Sequence, residues 1–298
     1  MLSQDAYIVG RTKASLGFPF KGQDQVFGGE RLDGQTISNA EYTHCTFANI
    51  SFKDVKLDSS KFLDCTFIGC YFRRTQLSKV SFQACKFLSC EFPKATVQAC
   101  DFSYAKFSDS YIAFAEMEHS LPSQHNLREM VARNLTIETG KLGLPDERRS
   151  YRKTEIRAHE QHLVAAVQNR SQWYKDHFTP LARFSAVTEL AWSYLNKWLW
   201  GYGESIFAIL RSFAIAGLGV FPLLFWFFPE QLVPTSGGII DFKSLLYFSL
   251  ATIVPTGIAS NITAIGPLAQ FLAVVESLFG VVTAGLLASY IFRWSLHR

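Results

Sequence analysis

Charge is nearly missing from the last third of this chain. Of its 29 lysines and arginines and 25 aspartates and glutamates, only Arg211, Lys243, Arg293, Arg298, Glu230, Asp241 and Glu276 follow Ser205. That scarcity excludes an ordinary soluble domain there and fits a membrane protein, whereas the first two thirds read as soluble. A one-sided charge is missing too. The net charge of +4 is too small to point to nucleic acid, and residues 30 to 116 balance ten basic against ten acidic side chains. The opening MLSQDAYIVGRTKASLG lacks the charged, apolar, then small-residue order of a secretory signal, so the N-terminal part is not expected to be exported. No nucleophile with its base, phosphate loop or metal-ligand spacing is visible, so neither an enzyme nor a cofactor is expected.

What is present first is a period of five. From Leu32 through Phe47, Phe52, Phe62, Phe67 and Phe72 to Ile112, every fifth residue is large and apolar, over 17 consecutive repeats. Two residues before each, the side chain is usually small, and all six cysteines (Cys45, Cys65, Cys70, Cys85, Cys90, Cys100) fall in that class. This period suits neither an amphipathic helix nor a plain strand. It suits a square coil that turns a corner every five residues, with one large and one small side chain pointing inward on each side. Confined to one repeat position, the cysteines are expected to be buried packing residues and not disulfides or metal ligands.

On these repeats, Leu32 to Met117 resembles the pentapeptide-repeat family. The resemblance implies a right-handed quadrilateral β-helix of about 20 residues per coil. Seventeen repeats then make a little over four coils, a rod of roughly 20 Å. It also implies a scaffold or partner-binding role, with a cytoplasmic partner not identified by the sequence.

After Ser123 the repeat is lost, and DERRSYRKTEIRAHEQHLVAAVQNR reads as a long polar helix. His159 and His162 lie on one face of it beside Glu160, without metalloprotease spacing, and are expected to be solvated. Leu181 to Gly203 mixes Leu181, Phe184, Val187, Leu195 and Leu199 with polar residues and gathers Trp192, Tyr194, Trp198, Trp200 and Tyr202. Such rings collect where lipid meets water, so an amphipathic helix on the cytoplasmic membrane surface is expected. Gly201-Tyr202-Gly203 has the letters of a potassium filter but precedes the first apolar run, with no short helix before it.

Ile206 to Phe228 and Pro267 to Phe292 are each long enough to cross a bilayer. The loop 229 to 240 holds no lysine or arginine, which places both termini in the cytoplasm of a cell whose plasma (inner) membrane the chain spans. Between the two runs, Asp241 can cap a helix to about Thr252 of some 16 Å, too short to cross, and Pro255 and Gly257 break it. Irregular backbone at membrane depth is tolerated only where it lines water or is buried in protein.

Over Ile206 to Trp294 the chain resembles the two-transmembrane potassium-channel superfamily. Tyr247-Phe248-Ser249, Thr252 and Gly257 match its pore helix and filter, and Glu276 and Gly280, followed by Ala284 and Ala288, match a Glu-x-x-x-Gly inner helix. The resemblance implies a filter drawn from Thr252, Ile253, Val254, Pro255, Thr256, Gly257, Ile258 and Ala259, and an inner helix marked by Glu276, Gly280 and Ala284. Pro255, Ile258, Ala259 and Ser260 depart from the family, because its filter needs glycine where φ is positive. Weak discrimination between potassium and sodium follows, and a cation-conducting pore is expected, served by carbonyls and the negative ends of the pore helices, with anion permeation the alternative.

The expected whole is multidomain: an N-terminal cap (1–27), a pentapeptide-repeat β-helix (28–117), a helical linker (118–180), an interfacial amphipathic helix (181–205) and an α-helical membrane domain (206–298) with two transmembrane helices and a re-entrant pore helix. The expected partners are permeant monovalent ions, the lipid bilayer and three further copies in a homotetramer. The alternative is a non-conducting, membrane-anchored pentapeptide-repeat scaffold.

Overall fold

The computed structural model describes residues 12, 13, 16, 20–235, 237, 239–254 and 260–295. The chain divides into two compact units, Met1–Ala186 and Val187–Arg298. Most of the expected N-terminal cap and the positions Pro255, Thr256, Gly257, Ile258 and Ala259 lie outside the described residues.

The first unit is a parallel β-solenoid of about four turns. From Lys21 onward each short strand pairs with the segment 20 residues away: Lys56 to Gln76 to Thr96 on one side, Thr46 to Thr66 to Lys86 to Lys106 on another. A third side runs Lys21 to Glu41 to Lys61, and single bridges link Arg31, Ser51, Tyr71 and Glu91 on the fourth. Four sides of five residues make the square coil that the period demands.

Because like positions stack at strand spacing, identical rings lie face to face. Phe47, Phe67, Phe87 and Phe107 stack with centroids 4.8, 5.1 and 5.0 Å apart. Phe52, Phe72 and Phe92 stack at 4.7 Å in both steps. All are buried in one core.

Every corner sets one residue in the left-handed region. Asn39, Asn49, Asp54 and Asp64 tolerate this locally, but Arg74, Lys79, Ala84, Lys94, Ala99 and Tyr104 also have φ of 51 to 62°. A side chain there costs about 1 kcal/mol. Ala84→Gly is therefore expected to stabilise the solenoid by about that amount, measured as a higher denaturant midpoint.

All six cysteines are free and buried. Their thiols take up carbonyls of the coil beneath: Cys70 Sγ donates to Phe47 O at 3.3 Å, Cys85 to Phe62 O at 3.3 Å and Cys90 to Phe67 O at 3.4 Å. Thr75 Oγ1 does the same to Phe52 O at 2.7 Å. Burial pushes the Cys90 and Cys100 thiols up, which suppresses the reactive thiolate. Maleimide at neutral pH should leave the folded chain's cysteines unlabelled and label all six after denaturation, read by intact mass.

The last coil would present an open strand edge, a template for unwanted pairing. Helices α1 (Phe114–Met117), α2 (His125–Lys141) and α3 (Pro145–Val167) follow it. The segment that reads as a polar linker closes this edge. Asn134 Oδ1 accepts from Phe107 N at 2.7 Å while Asn134 Nδ2 donates to Phe107 O at 2.9 Å, as a further strand would. Glu138 accepts from Asp109 N at 2.9 Å, Glu147 from Phe114 N at 2.7 Å, and Tyr151 OH donates to Ile112 O at 2.6 Å. Val131, Leu135 and Tyr151 join the solenoid core.

The two histidines are also not solvated in the way their helix suggests. His159 Nδ1 is 3.2 Å from Glu129 Oε1 on α2. His162 Nδ1 is 2.9 Å from Tyr174 OH on α4 (Gln172–His177), among the rings of Trp173, Tyr174 and Phe178. Both contacts are structural, and among the described residues no group of three or more potential ligands is placed to hold a metal.

Helix α5 (Pro180–Trp200) carries exposed Leu181, Phe184, Trp192 and Trp198. It ends at Gly201, Tyr202 and Gly203, which have φ of 53, 58 and 72°. The Gly-Tyr-Gly tripeptide is thus a left-handed reversal into α6 (Ile206–Ile215), capped by Ser205. A Cβ on Gly201 would sit 2.9 Å from that of Ser205, so glycine is required by both torsion and space.

A π-helical stretch (Ala216–Val220) continues α6 into α7 (Phe221–Trp226). Short helix α8 (Phe242–Ile253) and long helix α9 (Pro267–Ser295) complete the second unit. Among the described residues, two stretches are long and apolar enough to cross a bilayer, Ile206–Trp226 and Pro267–Phe292.

Candidate functional site

The short helix α8 is where the second unit concentrates its polar contacts. Asp241 caps it by accepting from Ser244 N at 2.8 Å, which fixes where it begins. Leu245, Phe248, Ser249 and Ile253 are buried on it, with Phe248 edge-on to Phe225 of α7 at 4.9 Å.

Its C-terminal end is gripped by one face of α9. Glu276 is fully buried and hydrogen-bonded to Ser249 Oγ. One residue on, Ser277 Oγ donates to Thr252 O at 3.1 Å. One turn further, Gly280 lies so close to Ile253 that an added Cβ would collide with its carbonyl oxygen. Spacings of one and four residues put these three groups on adjoining strips of the helix.

The other side of α8 meets the π-helical stretch, which has a cause in the sequence. Pro222 offers no N–H, and Phe221 N–H reaches back five residues to Ala216 O. Gly217 O therefore loses its donor within the helix, and Ser249 Oγ comes to 3.0 Å from it. The absence of a side chain at Gly217 lets Ile253 pack there, 3.4 Å from where a Cβ would be.

Beyond the positions 255 to 259 the chain is anchored again. Leu232–Pro234 and Ile262–Ala264 form an antiparallel ribbon, Leu232 opposite Ala264 and Pro234 opposite Ile262. Gln231 Oε1 accepts from Leu268 N and Ala269 N, both at 3.1 Å, and so caps α9 from a distant segment. The chain is held on both sides of positions 255 to 259, by α9 at Thr252 and Ile253 and by the ribbon from Ile262.

Of the residues singled out by sequence, Thr252, Ile253, Glu276 and Gly280 come together at this grip. Val254 follows as a half-buried residue, and Ala284 is exposed one turn beyond. Ser277, Gly217, Pro222 and Gln231 belong to the arrangement although sequence reasoning did not mark them; Pro222 within an apolar run next to Gly217 and Gly219 was the available signal. In the middle of α6, the Arg211 guanidinium donates to Trp198 O and lies 5.4 Å from the Trp198 ring centroid, and Ser212 Oγ donates to Leu199 O. Ser249→Ala removes the hydroxyl that donates to Gly217 O and is expected to lower the melting temperature of the second unit, at a cost of about 1–2 kcal/mol.

No protein-family model matches the chain, and no curated protein does. Among solved structures, it is similar to trypsin-treated QnrB1, a plasmid-mediated fluoroquinolone resistance protein, at 16% identity and a TM-score of 0.20, over 29% of this chain and 57% of that one. It is also similar to HetL, a pentapeptide repeat protein involved in heterocyst differentiation regulation from the cyanobacterium Nostoc, at 12% identity and a TM-score of 0.24, over 37% of this chain and 47% of that one. The chain thus spans about half the length of these neighbours. The solenoid is established by its own 20-residue register and stacked core, and the chain as a whole is a β-solenoid of five-residue repeats followed by a helical region with two long apolar helices.

Proposed function

We propose that the chain is one subunit of a homotetrameric ion channel, with α6–α7 and α9 crossing the membrane and α8 entering it as a pore helix. The single observation that carries this reading is the grip on α8: a helix too short to cross a bilayer is fixed at its C-terminal end by Glu276, Ser277 and Gly280. An anchor has no need of such a third helix. One subunit with one re-entrant segment cannot enclose a pore, and four copies around an axis can.

Conduction would depend on backbone carbonyls after Thr252 and on the negative ends of four α8 helices, which favour cations. Because Pro255, Ile258 and Ala259 replace residues suited to a long stack of carbonyl sites, potassium and sodium should permeate comparably. Reversal potentials in mixed salts that give potassium over sodium on the order of hundreds would contradict this. The aromatic face of α5 suits the cytoplasmic surface of the plasma (inner) membrane, with both termini on that side. The solenoid is suited to binding a cytoplasmic partner that regulates the pore.

A membrane-anchored scaffold is the second reading, favoured by the fact that two apolar helices alone suffice to anchor. Chemical cross-linking in mild detergent separates the two: a tetramer mass supports the channel, and a monomer or dimer the anchor.

A further inference from the structure

We propose that Glu276 holds a proton in the folded protein and that this proton completes a latch joining three helices through Ser249. The reasoning is a count of hydrogens. A serine hydroxyl has one to give. Gly217 O can only accept, and the two backbone nitrogens that could serve it are Phe221, already bonded to Ala216 O, and Pro222, which has no hydrogen. Ser249 Oγ therefore gives its hydrogen to Gly217 O, 3.0 Å away. The contact between Ser249 Oγ and Glu276 Oε1 then needs a hydrogen from the carboxyl side.

The surroundings agree. Glu276 is fully buried, and its Oε2 has no hydrogen-bond partner among the described residues. An ionised carboxylate would leave a charged oxygen unpaired in an apolar setting, whereas in the neutral acid that atom is a plain carbonyl oxygen and the cost falls sharply. Among the described residues, no ion pair to Glu276 is formed. On α6 the one charged side chain is Arg211, engaged with Trp198 O. On α8 Lys243 lies six residues before Ser249, about 9 Å along the helix, and Tyr247 is the other titratable group. Helix α9 carries no second titratable group before Tyr290.

Glu276 is thus a positioning residue. It donates to Ser249, which donates to the carbonyl freed by Pro222, so that α9, α8 and the π-helical stretch share one chain of hydrogen bonds. Its effect on conduction rests on the pore reading, while the proton itself can be seen without any current.

The test is infrared spectroscopy of the full chain in lipid nanodiscs at neutral pH, comparing the parent with Glu276→Gln. The parent spectrum should contain the carbonyl stretch of a protonated carboxylic acid that vanishes in Glu276→Gln and shifts in Ser249→Ala. A difference spectrum with carboxylate bands alone overturns the proposal. Because the glutamine amide keeps a donor at the same place, Glu276→Gln should also melt with the parent; a variant that fails to fold, or melts far lower, counts against the latch. Should cross-linking give a monomer, the channel reading falls and the infrared result still decides the proton.

Discussion

Gly280→Ala is expected to break the packing between α8 and α9 and cost the second unit roughly 3 kcal/mol, the upper range for forcing atoms into a filled interior. The reason is backbone, not side chain. The new methyl would collide with Ile253 O and would sit 2.8 Å from Ile253 C and 3.2 Å from its Cα, none of which can rotate away. Relief requires the helices to part, which strains the Ser277 bond to Thr252 O and the Glu276 contact with Ser249 together. The protein should melt at a markedly lower temperature in detergent, with loss of any conductance. Gly285→Ala, with open space where its Cβ would go, is the control and should change little.

The second large effect is expected at the other unit. Asn134→Ala strips both bonds from Phe107 at the end of the solenoid, and each orphaned backbone group costs about 1–2 kcal/mol, so about 2–4 kcal/mol in all. Asn134→Asp keeps the bond from Phe107 N and sets a carboxylate oxygen against Phe107 O, so it should be damaging as well. Hydrogen exchange at the Phe107 amide reports the loss directly, as faster exchange confined at first to the last coil. The uncovered strand should also promote end-to-end association, visible as larger species in light scattering.

These two sites show what was and was not legible beforehand. The coil could be read because every repeat carries its own inward pair, so Phe47, Phe67 and Phe87 announce the stack without any long-range knowledge. Its left-handed corners were not read beforehand: Asn39, Asn49 and Gly69 accept that torsion readily, but Arg74, Lys94 and Tyr104 do not advertise it, and there stacking between coils imposes it. The cap was hidden because its working residues, Asn134, Glu138 and Glu147, are polar and look like a solvated face until the strand end is beside them. Likewise the histidines of α3 have partners on α2 and α4 that spacing along one helix cannot reveal.

In the second unit, the resemblance marked Ser249, Glu276 and Gly280 separately, on the short helix and on the long one, without saying that they meet. The bond from Ser249 to Gly217 O was not foretold, because it depends on a carbonyl freed by Pro222 in another helix. Gln231 was silent for the same reason: its partners, Leu268 N and Ala269 N, lie 37 and 38 residues away.

Planar-bilayer recording of the purified full chain in asymmetric salt tests the central claim most directly. A tetrameric pore gives unitary currents whose reversal potential lies on the cation side and changes little when sodium replaces potassium. A silent bilayer from protein that cross-links as a monomer or dimer would contradict it and leave a two-helix anchor for a solenoid scaffold.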